Sequence, residues 1–378
     1  MTQPARMPAA GQAEMLIAAF ERGGYLRAHP AVLQPSEPFL DLSGEDIRRN
    51  MFLTSDSSGN ELCLRPDLTI PVARDYLGSA RAGQALGLCY LGPVFRNRAG
   101  KPAEFIQAGV ESFGRKDLAA ADAEMLALAL EATSAFGVTD PEIRAGDVAL
   151  FAALIEALAL PPAWQRRLIK DFNRKVSLAQ DLARLSLGEV SQRAEYQGVL
   201  AALAGSDRKA AHALVIDLLS IAGTSNVGGR SIDEIADRFL EQASLGGGAL
   251  PNETRVLIES FLGVKGDPDS ALNQLRNLAS DARLNLGAAF DAFESRIGFM
   301  AARGIDISRI TFATSFGRGL DYYTGFEFEL ILPGSSNGPL VAGGRYDGLL
   351  TRLGATAPIP AVGFAIWVEA MTQTGGAA

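Results

Sequence analysis

Between Thr314 and Gly348 the chain alternates: Phe326, Phe328, Leu330 and Leu332 take every second position, with Gly325, Glu327, Glu329 and Ile331 between them. That period of two is the signature of a β-strand with one buried face. The segment 333–339, rich in Gly, Ser and Asn, turns the chain, and 339–343 returns as a second strand, so the stretch predicts a hairpin. Each strand is flanked by an arginine set among glycines, Arg318 in Gly-Arg-Gly and Arg345 in Gly-Gly-Arg-Tyr. Backbone bare of side chains lets a ligand approach closely while a guanidinium points at it.

The two arginine segments are too specific for generic turns. Arg318 to Gly325 (Arg-Gly-Leu-Asp-Tyr-Tyr-Thr-Gly) and Ala342 to Gly348 (Ala-Gly-Gly-Arg-Tyr-Asp-Gly) resemble the two histidine-binding signatures of the histidyl-tRNA synthetase family. The resemblance extends upstream. Residues 51–69 hold two short apolar runs around a polar turn with Gly59, a second hairpin, ending in Leu-Arg-Pro-Asp-Leu-Thr. That ending is similar to the family's Leu-Arg-Pro-Glu-Gly-Thr, whose acid and threonine hold the amino group of histidine; Asp67 and Thr69 stand in those places. Residues 88–96 and 104–111 read as two strands joined by a short polar loop, similar to class II motif 2. The resemblance gives Arg96 to the amino-acid carboxylate and Gln107 and Glu111 to histidine.

Histidine has three groups to satisfy. Its carboxylate suits Arg318 and Arg96, because a planar guanidinium donates two parallel hydrogen bonds. Its ammonium suits Asp67, Thr69 and Gln107. Each imidazole nitrogen needs a partner, which Glu111 with Tyr323 or Tyr346 supplies, and Tyr322 is grouped with them. The nucleotide half departs from the family. Arg98 replaces the acid that grips adenine, the loop 99–103 is short and lacks an arginine before Glu104-Phe105, and the motif 3 arginine that clamps triphosphate falls on Ala370. Trp367 takes the place of a small residue, with bulk that fills space a nucleotide needs. Losing a positioned cation from a site where phosphate charge develops costs on the order of a hundredfold in rate, so adenylation is not expected.

Taken along nearly its whole length, the pattern resembles the HisZ-type family of ATP phosphoribosyltransferase regulatory subunits. The resemblance implies a non-catalytic subunit without cofactor that binds histidine, pairs with itself, and assembles with a HisG-type catalytic chain whose activity it supports and feedback-regulates. Two alternatives stand beside it: a histidyl-tRNA synthetase-like enzyme working with a separate tRNA-binding chain, and a stand-alone histidine-binding protein.

The fold this implies is α+β: a class II synthetase-like antiparallel sheet flanked by helices, with a helical insertion and no anticodon-binding domain. The expected parts are a first core segment at 1–160, bounded by Pro161-Pro162, the insertion at 161–280, and a second core segment at 281–378. Periodicity predicts helices around Met15 to Phe20, over 117–137, over 147–158 and around Phe290 to Met300, and a capping box at Ser231-Ile232-Asp233-Glu234 opens another. Arg166, Arg167, Lys170, Arg174 and Lys175 form a basic helix face, expected to be solvated. A formal charge of -8 gives no field to attract nucleic acid. Two cysteines, Cys63 and Cys89, with two histidines, His29 and His212, provide no zinc-type cluster. Without a signal core or a membrane-length apolar run, the expectation is a cytoplasmic protein.

Overall fold

A computed structural model describes residues 8–42, 45–187, 208–221, 236, 251–335 and 338–372. The chain divides into two compact units, Met1–Leu154 with Ser260–Ala378, and Ile155–Glu259. Among the described residues no helix is long and apolar enough to cross a membrane.

The first unit is built on a sheet ordered β1-β5-β6-β12-β11-β10-β7-β9-β8. Its strands are β1 (Leu26–Arg27), β5 (Leu86–Phe95), β6 (Glu104–Phe113), β7 (Glu142–Asp147), β8 (Lys265–Gly266), β9 (Ile310–Ala313), β10 (Phe326–Ile331), β11 (Val341–Arg345) and β12 (Ala361–Trp367). The run from β5 to β7 is antiparallel throughout, as expected, with the parallel pairs β1·β5 and β7·β9 added towards its edges. A smaller sheet joins β2 (Leu33–Pro35), β3 (Phe52–Ser55) and β4 (Glu61–Leu64), so the hairpin expected over 51–69 is present. On either side of Pro30 the chain forms two short strands, β1 and β2, in different sheets.

Helices of this unit are α1 (Pro8–Arg22), α2 (Glu37–Leu42), α3 (Glu45–Arg49), α4 (Thr69–Leu77), α5 (Leu118–Ala135) and α6 (Val148–Ala157), the last running past its boundary. The other unit holds α7 (Pro162–Asp171), α8 (Lys175–Leu187) and α9 (Arg208–Ile221), and α10 (Asn252–Leu262) spans the second boundary. Then come α11 (Pro268–Asp281), α12 (Gly287–Ala302), α13 (Asp347–Arg352) and α14 (Val368–Thr372). Residues 161–259 of the expected insertion lie in the second unit; residues 260–280 lie in the first, where β8 pairs with β9 and α11 packs on β9.

In the second unit Trp164, Leu168, Phe172, Leu178 and Leu182 are buried. Of the basic residues expected to face solvent, two are engaged within the unit: Arg167 makes a two-pronged bond to buried Asp181 at 2.5 and 2.8 Å, and Arg174 lies 3.5 Å from Asp171. The predicted capping box at 231–234 lies outside the described residues.

In the first unit α5 crosses β10, β11 and β12 and packs against α12. Its alanines at 121, 123, 129 and 132 are buried, and such small side chains let a helix settle close on a sheet. A buried ion cluster fastens these layers. Asp122 on α5 accepts from Arg296 Nε (2.9 Å) on α12 and from Arg345 Nη2 (2.6 Å) on β11, while Asp147 on β7 accepts from Arg296 Nη1 (2.6 Å). Arg345 further donates to Asp347 and to the Leu118 carbonyl. Such a cluster is held by mutual satisfaction, and removing one member leaves the others buried and uncompensated. Asp122→Asn, which strips the charge facing two guanidinium groups, is expected to lower the unfolding free energy by about 3–5 kcal/mol. Urea denaturation followed by circular dichroism measures it.

Candidate functional site

The sheet face opposite α5 carries a cavity of about 660 Å³, a volume ordinary for a small-molecule site. Strand parity decides which side chains reach it. On β6, Phe105, Gln107 and Glu111 line the cavity, and the intervening positions point to the helical layer.

The floor follows from strand register, because directly opposed residues of antiparallel strands share a face. One cross-sheet row reads Gly146, Glu327, Gly344, Gly363, Glu111, Leu88, from β7 to β5. The next reads Ala342, Ala365, Gly109, Tyr90. These rows put small residues where larger side chains must lie flat. A Cβ on Gly363 would collide with the Glu111 carboxylate, one on Gly109 with the Tyr90 hydroxyl, and one on Gly344 would come within 2.9 Å of the Tyr323 ring.

Glu111, 1% exposed, is the hub of this floor. The Tyr346 hydroxyl donates to its Oε2, the Tyr90 hydroxyl lies 3.2 Å from Oε1, and the Thr69 side chain also bonds to it. Burial dominates these contacts and pushes its pKa up to about 8. Asp67 sits where the chain enters α4. Its Oδ1 accepts the Ile70 N–H at 3.2 Å; its Oδ2 is buried without a hydrogen-bond partner. Burial raises the Asp67 carboxyl as well, against the pull of Arg96. Gln107 Oε1 accepts the Leu68 N–H at 2.9 Å, which fixes the entry to α4 over the sheet. Arg96, at the end of β5, donates from Nε to the Pro66 carbonyl at 2.7 Å.

Arg65 stitches these pieces together, donating to the carbonyls of Pro30 and Pro93 while its own carbonyl accepts the Phe95 N–H. Arg318 arrives from the loop before β10. It donates to the Tyr323 hydroxyl at 3.0 Å, and its guanidinium lies 5.8 Å from the ring centroids of both Tyr323 and Trp367. Gly319, at φ +71°, follows it with a backbone turn that L side chains resist.

Every expected ligand residue, Asp67, Thr69, Arg96, Gln107, Glu111, Arg318, Tyr322, Tyr323 and Tyr346, lines this one cavity. Arg345 does not: its side chain lies in the helical layer, because it is one residue out of step with Gly344 and Tyr346 on the cavity face. The one-sided burial expected for β10 is also corrected. Glu327 is fully buried, since the cavity wall covers the face that alternation assigned to solvent. Tyr90 and Glu327 are buried polar groups that the sequence reading gave no role. The glycines facing them across strands, Gly109, Gly146 and Gly344, are the signal, but strand register is needed to see it.

At the outer end Arg98 lies over the Phe105 ring, 4.0 Å from its centroid. It covers an aromatic face that would otherwise be open for stacking. Lys101, Trp367, Glu369 and Ala370 complete this end, and Glu369 accepts the Ile106 N–H at 2.6 Å.

Known proteins carry the same pattern. The model of the histidyl-tRNA synthetase family matches residues 9–220 and 236–371. The ATP phosphoribosyltransferase regulatory subunit of Brucella canis is 41% identical over 349 residues, covering 91% of this chain and 92% of that protein. The one from Brucella abortus is equally similar. Among solved structures, an ATP phosphoribosyltransferase regulatory subunit/histidyl-tRNA synthetase from Bacillus halodurans superposes with a TM-score of 0.66 at 22% identity, covering 97% of this chain and 78% of that one. A histidine–tRNA ligase subunit from Alicyclobacillus acidocaldarius gives 0.55 at 25% identity, covering 98% and 94%.

Gly363→Ala is expected to destabilise the fold by about 1–3 kcal/mol, because the Val110 carbonyl, 2.5 Å from the added methyl, is fixed by the sheet. Thermal unfolding checks this. Glu111 and Glu327 are both pushed up to about 8 from an ordinary 4.5. Between those values the folded chain holds protons that the unfolded chain has released, so their contribution to stability is lost as pH rises through that window. The urea midpoint of Glu327→Gln should therefore rise relative to the parent between about pH 5 and about pH 8.5.

Proposed function

The chain belongs to the family of ATP phosphoribosyltransferase regulatory subunits, non-catalytic proteins on the histidyl-tRNA synthetase fold, and from that premise we propose that its cavity binds free histidine to regulate a catalytic partner. The partner is a HisG-type phosphoribosyltransferase chain, and histidine acts as feedback ligand of the first step of histidine biosynthesis. The observation that carries this reading is the unpartnered Asp67 Oδ2, a buried carboxylate oxygen lining a cavity that also presents Arg318. A buried carboxyl oxygen without a donor calls for one, and the ammonium of an amino acid supplies both the donor and a compensating charge. Arg318 and Arg96 then take the carboxylate. Glu111, with its tyrosine hydroxyls, meets the imidazole at the floor.

The outer end supports binding without activation. Arg98 occupies the Phe105 face, and Ala370 offers no cation for a triphosphate. Histidine then shifts the assembly between states to the extent that those states bind it differently. Self-pairing belongs to the same reading: Leu26, Leu33 and Leu53, on β1, β2 and β3, are each about half exposed.

Calorimetric titration with L-histidine tests the cavity. Arg318→Ala should weaken binding about 10- to 100-fold, the usual worth of a charge-assisted hydrogen bond. L-histidinol, which lacks the carboxylate, should bind the parent protein weakly and be indifferent to that substitution. Histidine-dependent ATP–pyrophosphate exchange by the purified chain would overturn the regulatory reading in favour of an activating enzyme.

A further inference from the structure

We propose that Glu327 is a positioning residue that sets Arg318 for recognition of the ligand carboxylate, an inference that rests on the histidine reading above. Glu327 is the second residue of β10 and has no exposed surface. Its partners across both neighbouring strands are glycines, Gly146 and Gly344, so it occupies a slot with no side chain beside it from either strand. The loop before β10 roofs that slot. A Cβ on Gly146 would stand 2.6 Å from the Phe316 carbonyl, and one on Gly344 2.9 Å from the Tyr323 ring.

Beneath this roof Glu327 Oε2 accepts the backbone N–H of Arg318 at 2.9 Å. The Arg318 side chain then runs on to the Tyr323 hydroxyl and the Trp367 ring, while Gly319 turns the chain away. The carboxyl group therefore holds the loop from below, at the residue whose guanidinium faces the cavity.

A side chain needed merely to fill the slot would be apolar. Glu327 Oε1 is buried without a partner, and an unmatched carboxyl oxygen carries a free-energy cost that a leucine avoids. What the glutamate supplies in exchange is the acceptor for Arg318. That contact acts on one end of the ligand: it governs carboxylate recognition, whereas Asp67 and Glu111, which take the ammonium and the imidazole, have no bond to Glu327.

The test compares the parent protein with Glu327→Leu, which keeps volume and removes the acceptor, with Glu327→Ala as a second acceptor-less variant, and with Glu327→Gln, which keeps an acceptor oxygen. L-histidine and L-histidinol are titrated by calorimetry, and amide hydrogen exchange of residues 315–321 is followed without ligand. Glu327→Leu should weaken histidine about tenfold, leave histidinol within about twofold, and speed exchange across the loop, with Glu327→Gln restoring most of each. Combined with Arg318→Ala it should add little further loss, since both act through one contact. Unchanged histidine affinity in the Leu and Ala variants, or equal losses for histidine and histidinol, would refute the positioning role. Should the parent fail to bind histidine, the ligand reading falls, and the exchange data still decide on the anchor: an unchanged loop rejects it.

Discussion

Carboxyl groups buried on one face of a sheet constrain everything around them. A side chain that large and polar fits against a β-surface where its neighbours are withdrawn, and here they are withdrawn to hydrogen atoms. Glu327 is flanked by Gly146 and Gly344, Glu111 by Gly363, and Tyr90 faces Gly109. Burying these groups also forces their protons and hydrogen bonds to be settled by the protein. Glu111 is met by Tyr346, Tyr90 and Thr69, and Glu327 by the Arg318 backbone. The cavity floor is thus a preorganised polar surface, shaped before any ligand arrives.

The two faces of the sheet use charge differently. On the helical side Asp122, Arg296, Asp147 and Arg345 satisfy one another and bind α5, α12, β7 and β11 into one body. On the cavity side charge is left incomplete, with Asp67 Oδ2 unpartnered. A closed network rigidifies; an open one is completed from outside. The rigid layer supports the open one through β11, whose alternate residues serve both: Arg345 on one side, Gly344 and Ala342 on the other.

This division suits the proposed role, binding a metabolite without transforming it. Recognition of an amino acid needs an acid, a base-binding floor and a guanidinium at fixed separations. Activation needs, in addition, an open aromatic face and cations for phosphate, and Arg98 on Phe105 closes the first.

Much of this was legible in the chain itself. Period-two alternation located the β10–β11 hairpin, helical periodicity located α5, α6 and α12, and Arg318, Asp67, Thr69, Arg96, Gln107 and Glu111 were nameable from short segments. Local pattern suffices there, because strand and helix periods and turn residues are properties of neighbours in sequence. The sequence also placed Arg345 at the ligand and Glu327 at the surface, and both placements were reversed. Which face a strand position takes, and what covers that face, depends on pairing between strands up to hundreds of residues apart, such as Gly363 opposite Glu111. The kinds of chemistry were thus written in the chain, whereas tertiary pairing alone decided which charges close upon each other and which remain open to a ligand.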